Sequence, residues 1–143
     1  MTLHLIKLCV GAESVADLAA WQKKRIAEQK KKGKKPELIH VTRMTPKRKD
    51  ELLDGGSLYW VIKGYVAVRQ KLIDLRPVTK NGTPHCGLVY DAKIVPVLRR
   101  FHRPFQGWRY LPEKDAPPDL AGLKGGKGLA PELRQELAEL GLL

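Results

Sequence analysis

The spacing of apolar residues predicts a first strand followed by an amphipathic helix. Residues 3–10, LHLIKLCV, are apolar with partial alternation, which is typical of a strand. In the next stretch, apolar side chains recur at intervals of three and four residues up to Ile26, so they would line one face of a helix. Ser14 stands at the N-cap position with Asp17 three residues later, and Gly33 marks the predicted end of the helix.

A second strand and a shorter helix are predicted next. Residues 37–44, ELIHVTRM, have the composition of a strand. Pro46 suits the first position of a helix, because its missing N–H would have no partner there, and Thr45 before it is predicted to be the cap. This helix is predicted to reach about Asp54 and to end at Gly55.

The first turn of that predicted helix carries three cations. Lys47, Arg48 and Lys49 would add to the positive end of the helix dipole instead of offsetting it. An anion held by the free N–H groups would compensate, so the stretch predicts an anion site. The alternative is that these cations pair with Asp50, Glu51 or the acidic residues near the C-terminus.

The chain then alternates as strands do as far as residue 111. Residues 57–62, SLYWVI, and the following YVAVRQKLIDL predict two paired strands, with a bulge between Val68 and Ile73. Asn81 and Gly82 form a typical hairpin turn. The segments CGLVYD, KIVPVLRR and FQGWRYL are three further predicted strands.

Together these elements predict an α+β fold. We expect a curved, mainly antiparallel, barrel-like sheet, with two helices inserted near the N-terminus and one C-terminal helix. Residues 1–111 would form a single α+β domain, and the Pro- and Gly-rich residues 112–130 a linker. Residues 131–143 predict an amphipathic helix that docks on the domain through its leucines.

The charge of the chain is concentrated in one region. The 143 residues carry a formal net charge of +12. Residues 23–49 hold twelve basic and two acidic side chains, so this window accounts for +10 of that charge. Such a local excess favours a polyanionic partner, and the alternative is a solvated basic loop that binds nothing specific.

The leading prediction is a protein that binds nucleic acid, and RNA in preference to DNA, through this basic surface. Aromatic residues beside arginines, such as Trp108 near Arg109, could stack bases, but for Trp60 and Trp108 core packing is the favoured interpretation. The predicted phosphate contacts are Lys23, Lys24, Arg25, Lys30, Lys31, Lys32, Lys34, Lys35, Arg43, Lys47, Arg48 and Lys49, with Arg99, Arg100, Arg103 and Arg109 as a second set.

Other chemistry leaves little trace in the sequence. The histidines and the two cysteines, Cys9 and Cys86, follow no metal-binding spacing, so neither a metal nor another cofactor is predicted. There is no G-x-S-x-G motif and no P-loop, and no catalytic residue is predicted. No apolar run is long enough to span a bilayer and no signal peptide is evident, so we expect a cytoplasmic protein without a membrane partner. The oligomeric state stays open.

Two further functions remain as alternatives at this stage. A small enzyme acting on a phosphorylated or nucleotide substrate could use Arg43, Arg48 and Arg109 as clamps. A protein-interaction module could dock its acidic last helix on a partner.

Several stretches resemble a known family. The runs GGSLYWVIKGYVAVRQKLIDLRP, CGLVYD, RPFQGWRYL and LAPELRQELAELGLL are similar to an alphaproteobacterial family of uncharacterised proteins, known only as a domain of unknown function. The resemblance covers nearly the whole chain and implies a small bacterial protein with no established activity or site. The order of elements is also similar to that of PUA-like β-barrels, which bind RNA or modified bases, although fold alone does not settle function.

Overall fold

The computed structural model describes residues 2–122. The predicted C-terminal helix, residues 131–143, and residues 123–130 of the predicted linker lie outside these residues. The strands and helices are β1 (Leu3–Leu8), α1 (Val15–Lys31), β2 (Leu38–Thr42), α2 (Lys49–Leu53), β3 (Ser57–Ile62), β4 (Tyr65–Lys80), β5 (Thr83–Tyr90), β6 (Val95–Phe101) and β7 (Trp108–Pro112). Two short 3-10 turns follow at Glu113–Asp115 and Leu120–Gly122.

The long strand β4 organises the sheet. Its first half pairs with β3 and with β6, and its second half pairs with β5, which in turn pairs with β2. β1 runs parallel to β3, while β7 pairs antiparallel with β1. The register with β5 shifts between Leu72 and Asp74, so the bulge that the sequence predicts in this stretch lies at Ile73. This irregularity lets one strand serve two parts of the sheet.

The predicted fold class is wrong. The described chain is mostly β, and its seven strands form an open, mixed sheet instead of a barrel. The edge strands β2 and β7 do not pair with each other. Side chains bridge the gap between them: the indole Nε1 of Trp108 donates to the carbonyl of Met44, at 2.7 Å. A side-chain bridge holds these edges together without the continuous backbone ladder that a barrel needs.

The centre of the sheet is buried on both faces, which is why β3 is buried along its whole length. On one face α1 packs over a core that includes Leu5, Leu58, Trp60 and Leu88. On the other face Ile6, Tyr59, Val61, Val66 and Val97 form a second cluster, which residues 105–116 cover. The basic helix α1 therefore lies on one face only.

Helix α1 agrees closely with its prediction. The Ser14 hydroxyl accepts a hydrogen bond from the backbone N–H of Asp17, at 3.1 Å, as in a capping box. Val15 and Leu18 are buried, and so is Gln22, the polar member of the apolar face. No helix within residues 2–122 is long and apolar enough to cross a membrane.

Helix α2 is shorter than predicted and starts later. It covers five residues, and Arg48, not Thr45, occupies its N-cap position without a side-chain cap. The backbone N–H groups of Lys47 and Arg48 instead donate to the hydroxyl of Tyr110, at 3.0 and 3.2 Å. A residue distant in sequence thus supplies the acceptor that a local cap was expected to supply.

Candidate nucleic-acid interface

All sixteen predicted phosphate-contacting side chains are exposed. Within residues 2–122 only two of them form ion pairs with a carboxylate, Arg48 with Glu51 and Lys49 with Asp74. The cations of α1 and of the loop that follows it have no carboxylate partner in this part of the chain. Unpaired cations on one surface leave their field available to an anionic ligand.

Two arginines of the second predicted set, Arg100 and Arg109, lie apart from α1. The guanidinium of Arg100 donates to the backbone carbonyl of Asp115, and that of Arg109 lies 5.8 Å from the ring centroid of Phe105. Phe105 packs against the second core cluster, on the face of the sheet opposite α1. The structure therefore does not join these two arginines to the basic surface of α1.

The anion site predicted at α2 is not formed. Tyr110 already occupies the N–H groups of Lys47 and Arg48 that were expected to hold the anion. Arg48 pairs with Glu51 and lies 5.5 Å from the ring centroid of Tyr110. Arg48 thus pairs with an acid of its own helix, as the alternative interpretation predicts, and Lys49 pairs with Asp74 of β4.

The arginine clamp of the enzyme alternative is not assembled either. Arg48 stacks on Tyr110 and Arg109 on Phe105. These two rings pack against different core clusters, on opposite faces of the sheet. A shared phosphate could not be reached by both guanidinium groups from opposite faces.

A groove between α1 and the β2 side of the sheet combines aromatic and cationic side chains. Its cavity volume is about 390 Å³, and its lining includes Trp21, Arg25, Ile39, His40, Trp60 and Lys80. Trp60 is buried at 3% exposure, whereas Trp21 is 45% exposed. The His40 ring meets Trp60 edge to face, with centroids 5.5 Å apart. The floor of the groove is therefore rigid core, and its rim carries an accessible indole.

Three elements bring cations to this groove. The guanidinium of Arg25, from α1, lies 4.6 Å from the ring centroid of Trp21. Burial, together with the positive charges of Lys7, Arg25 and Lys80, lowers the pKa of His40 to about 4. The His40 imidazole is therefore neutral at physiological pH. The three cations that act on it come from β1, α1 and β4, so the field converges from three sides.

Lys7 has an aromatic setting of its own. Its Cα is in register with that of Trp60 on one neighbouring strand and with that of Trp108 on the other. Burial lowers the pKa of its ammonium group. Trp108 itself is half-buried and packs against the core beneath α1, as the core interpretation of the tryptophans predicts.

A histidine–serine–carboxylate cluster lies elsewhere, but its geometry is not that of a catalytic triad. His4 Nε2 lies 2.5 Å from a carboxylate oxygen of Glu113. The other ring nitrogen accepts from the backbone N–H of Ser57, not from its hydroxyl. That hydroxyl accepts from Arg69 and is fully buried. The cluster thus ties residues after β7 to the sheet and exposes no nucleophile.

The cysteines are protonated packing residues. Burial raises the pKa of the Cys9 thiol to about 11 and also raises that of Cys86. No group of three or more histidine, cysteine, aspartate or glutamate side chains within residues 2–122 could hold a metal ion.

Sequence reasoning missed most of the groove. Of its charged and aromatic lining residues only Arg25 belongs to the predicted set, whereas Trp21, His40, Trp60 and Lys80 do not. One local signal was available, since Trp21 lies four residues before Arg25 and must share a side of the helix with it. His40 and Lys80 come from strands far apart in sequence, so no local pattern could join them.

Comparison with known proteins places the chain in a family without assigning a site. Residues 5–143 match the model of a family described as protein of unknown function, DUF1489. No curated protein and no solved structure matches the chain. The match confirms the predicted resemblance to a domain of unknown function. The bacterial source and the analogy with PUA-like barrels stay predictions, and the open sheet does not support the latter.

Proposed function

We propose a function from the exposed basic surface of the protein. The chain belongs to DUF1489, a family of proteins of unknown function, so the family match assigns no activity. The proposal is that the protein binds nucleic acid, and RNA in preference to DNA, through α1 and the loop that follows it. The observation that carries it is a set of exposed cations on this helix and loop that have no carboxylate partner within residues 2–122: Lys23, Lys24, Arg25, Lys30, Lys31, Lys32, Lys34 and Lys35.

The physical argument is counterion release. Each phosphate neutralised by a lysine or arginine releases condensed cations from the nucleic acid, so affinity falls as salt rises. Internal carboxylates do not compete for the side chains of α1 within residues 2–122. The adjoining groove adds an aromatic surface, and recognition of unpaired RNA commonly combines phosphate contacts with stacking on such surfaces.

The first test is the salt dependence of RNA binding. If about six of these cations contact phosphates of a single strand, the slope of log K against log salt should be about −4. Replacing Lys30, Lys31 and Lys34 by glutamine should remove about 2 from that slope and weaken binding at least tenfold at low salt. Fluorescence anisotropy with a labelled RNA measures both quantities.

A matched control removes the same charge elsewhere. Lys63, Lys71 and Lys114 are exposed and lie outside the predicted set, so replacing these three by glutamine lowers the net charge equally. The control should bind RNA within about threefold of the parent. Equal losses in both triple variants would mean that only net charge matters, and a slope near zero in the parent would refute the proposed function.

A further inference from the structure

We infer that the groove between α1 and the β2 side of the sheet takes one unpaired nucleobase, so that the RNA partner is single-stranded where it meets the protein. This inference rests on the proposed function and adds the class of ligand that the groove accepts. It assigns Trp21 as the stacking platform, His40 as the group that faces the edge of the base, and Arg25 with Lys80 as contacts for the flanking phosphates.

The size and floor of the groove suit such a ligand. A cavity volume of about 390 Å³ lies within the range of small-molecule sites, about 300 to 1,000 Å³. Trp60 forms part of the floor and is held in place, because its indole N–H donates to the buried amide of Gln70 at 2.9 Å. Gln70 in turn exchanges two hydrogen bonds with Gln22 of α1. A floor fixed in this way changes little when a flat ring enters.

Trp21 supplies the surface for stacking. It projects from an otherwise basic stretch of α1 and is 45% exposed, although burial of an indole is strongly favourable. Arg25 already lies over its ring, and a planar guanidinium and an indole are both good partners for a base. Stacking of a base on Trp21 would bury the indole, and it needs no hydrogen bond from the base.

His40 supplies hydrogen-bonding capacity that the described chain leaves unused. Its ring meets Trp60 edge to face, and none of the side-chain hydrogen bonds found within residues 2–122 involves its nitrogens. A neutral imidazole has one donor and one acceptor, which is the complement of a base edge. The imidazole is neutral at physiological pH because burial and three neighbouring cations oppose its protonation.

The charges around the groove favour the phosphates on either side of the base. Arg25 and Lys80 line the groove, and no carboxylate of residues 2–122 does. The nearest adjoining cavity, about 230 Å³, contains one acid, Asp17, whose carboxylate accepts from the backbone N–H of Glu13 at 3.0 Å. An anionic strand that enters between Arg25 and Lys80 therefore meets cations first.

This arrangement excludes a paired base. In a duplex each base is stacked and paired, and its extrusion costs a few kcal/mol. A single strand has no such cost, so the groove should discriminate between the two forms while the basic surface of α1 binds both. Discrimination by the groove and attraction by the surface can be measured separately.

The test compares three probes on the intact chain: a ten-residue oligoadenylate RNA, the same RNA annealed to its complement, and heparin. Trp21→Ala should weaken oligoadenylate binding by about 5- to 100-fold, the range for loss of one stacked base. Trp21→Leu should lose nearly as much, and Trp21→Phe should stay within about threefold of the parent. Binding of duplex RNA and of heparin should change less than twofold in all three variants.

The control variant is Tyr65→Ala. Tyr65 is 44% exposed, close to the exposure of Trp21, but it lies on β4 against Phe101, away from the groove. It should leave oligoadenylate binding within about twofold of the parent. Oligoadenylate should also quench tryptophan fluorescence more strongly in the parent than in Trp21→Phe, which keeps only the buried Trp60 in the groove. Circular dichroism shows whether each variant is folded.

The possible results separate the two proposals. If Trp21→Ala loses the same affinity for oligoadenylate, duplex RNA and heparin, or loses no affinity at all, the groove does not bind a nucleobase. The salt-dependent binding of the parent would then still support the basic surface. If the parent binds neither RNA nor heparin at low salt, the proposed function is refuted, and so is the inference that the groove binds a nucleobase.

Discussion

At the scale of single residues, the interior polar groups are matched closely. Gln70 uses its full hydrogen-bonding capacity: its carbonyl oxygen accepts from Gln22 and Trp60, and its amide donates to Gln22 and to the backbone carbonyl of Asp91. No buried side-chain nitrogen or oxygen within residues 2–122 lacks a partner. Gln22 is therefore not a flaw in the apolar face of α1 but one half of a buried amide pair.

His40 gives the prediction at this scale. Its pKa is lowered from 6.5 to about 4 in the folded chain, so between these values the unfolded chain binds more protons. Stability that depends on His40 is thus fully present above about pH 6.5 and is lost as pH falls towards 4. An NMR titration should place the imidazole near 4, and Lys80→Gln should raise that value because one repelling cation is removed.

The matched variant His40→Gln isolates this contribution. Carboxylates also titrate in acid, so the relevant quantity is the difference between the parent and this variant in urea unfolding at pH 7.5 and pH 4.5. The loss of stability between the two values should be smaller in the variant. An imidazole that titrates near 6.5 would show that His40 is neither buried nor surrounded by cations.

At the scale of elements, the junction between α2 and β3 is packed backbone against backbone. A Cβ added to Gly56 would lie 2.3 Å from the carbonyl oxygens of both Leu3 and Leu52. Gly87, in β5, is also tight, but there the closest atom is the tip of the Ile39 side chain, at 2.6 Å. A side-chain tip can move aside, whereas two backbone carbonyls held by a strand and a helix cannot.

The two glycines therefore form a matched pair for a stability measurement. Gly56→Ala should lower the free energy of unfolding by about 3 kcal/mol or more, beyond the usual cost of an overpacked site. Gly87→Ala should cost about 1 to 2 kcal/mol. Urea unfolding followed by circular dichroism measures both, and a Gly56→Ala protein as stable as the parent would mean that the α2–β3 junction is looser than described.

At the scale of the whole molecule, the second face of the sheet depends on residues that follow β7. Asp119 accepts two hydrogen bonds from Arg69, both at 2.7 Å, and Glu113 lies against His4. These contacts hold residues 113–119 against the start of β1 and the first half of β4. The Arg69 guanidinium keeps the pKa of Asp119 below its usual value, so this pair persists until the medium is acidic.

Removing the contact between Asp119 and Arg69 should loosen residues 113–119 without unfolding the rest of the protein. Asp119→Ala should cost about 1 kcal/mol of stability, the lower end for a charged hydrogen bond, because both side chains are partly exposed. Hydrogen exchange measured by mass spectrometry should become faster in residues 113–119 and stay unchanged in α1. Asp115→Ala removes an exposed carboxylate that forms no ion pair within residues 2–122 and serves as the control; equal exchange in both variants would contradict the attachment.

The sequence alone determined those features that depend on neighbours a few residues apart. The capped start of α1 follows from Ser14 and Asp17, and the bulge at Ile73 follows from a shift of alternation within one strand. The net charge of a segment can be counted from sequence, so the basic residues 23–49 were also evident without the structure. The family resemblance also follows from sequence alone and is confirmed by the match over residues 5–143.

Tertiary structure decided what depends on residues far apart. The late start of α2 needs the Tyr110 hydroxyl, more than sixty residues from the N–H groups that it accepts. The sheet is open because β2 and β7 do not pair, and Trp108 links these two edges only through its side chain, which no alternation pattern reports. The groove joins Trp21, His40 and Lys80 from three elements, and only strand pairing and helix packing bring such residues together. Short-range patterns specify the elements, whereas long-range contacts specify the surface that a ligand meets.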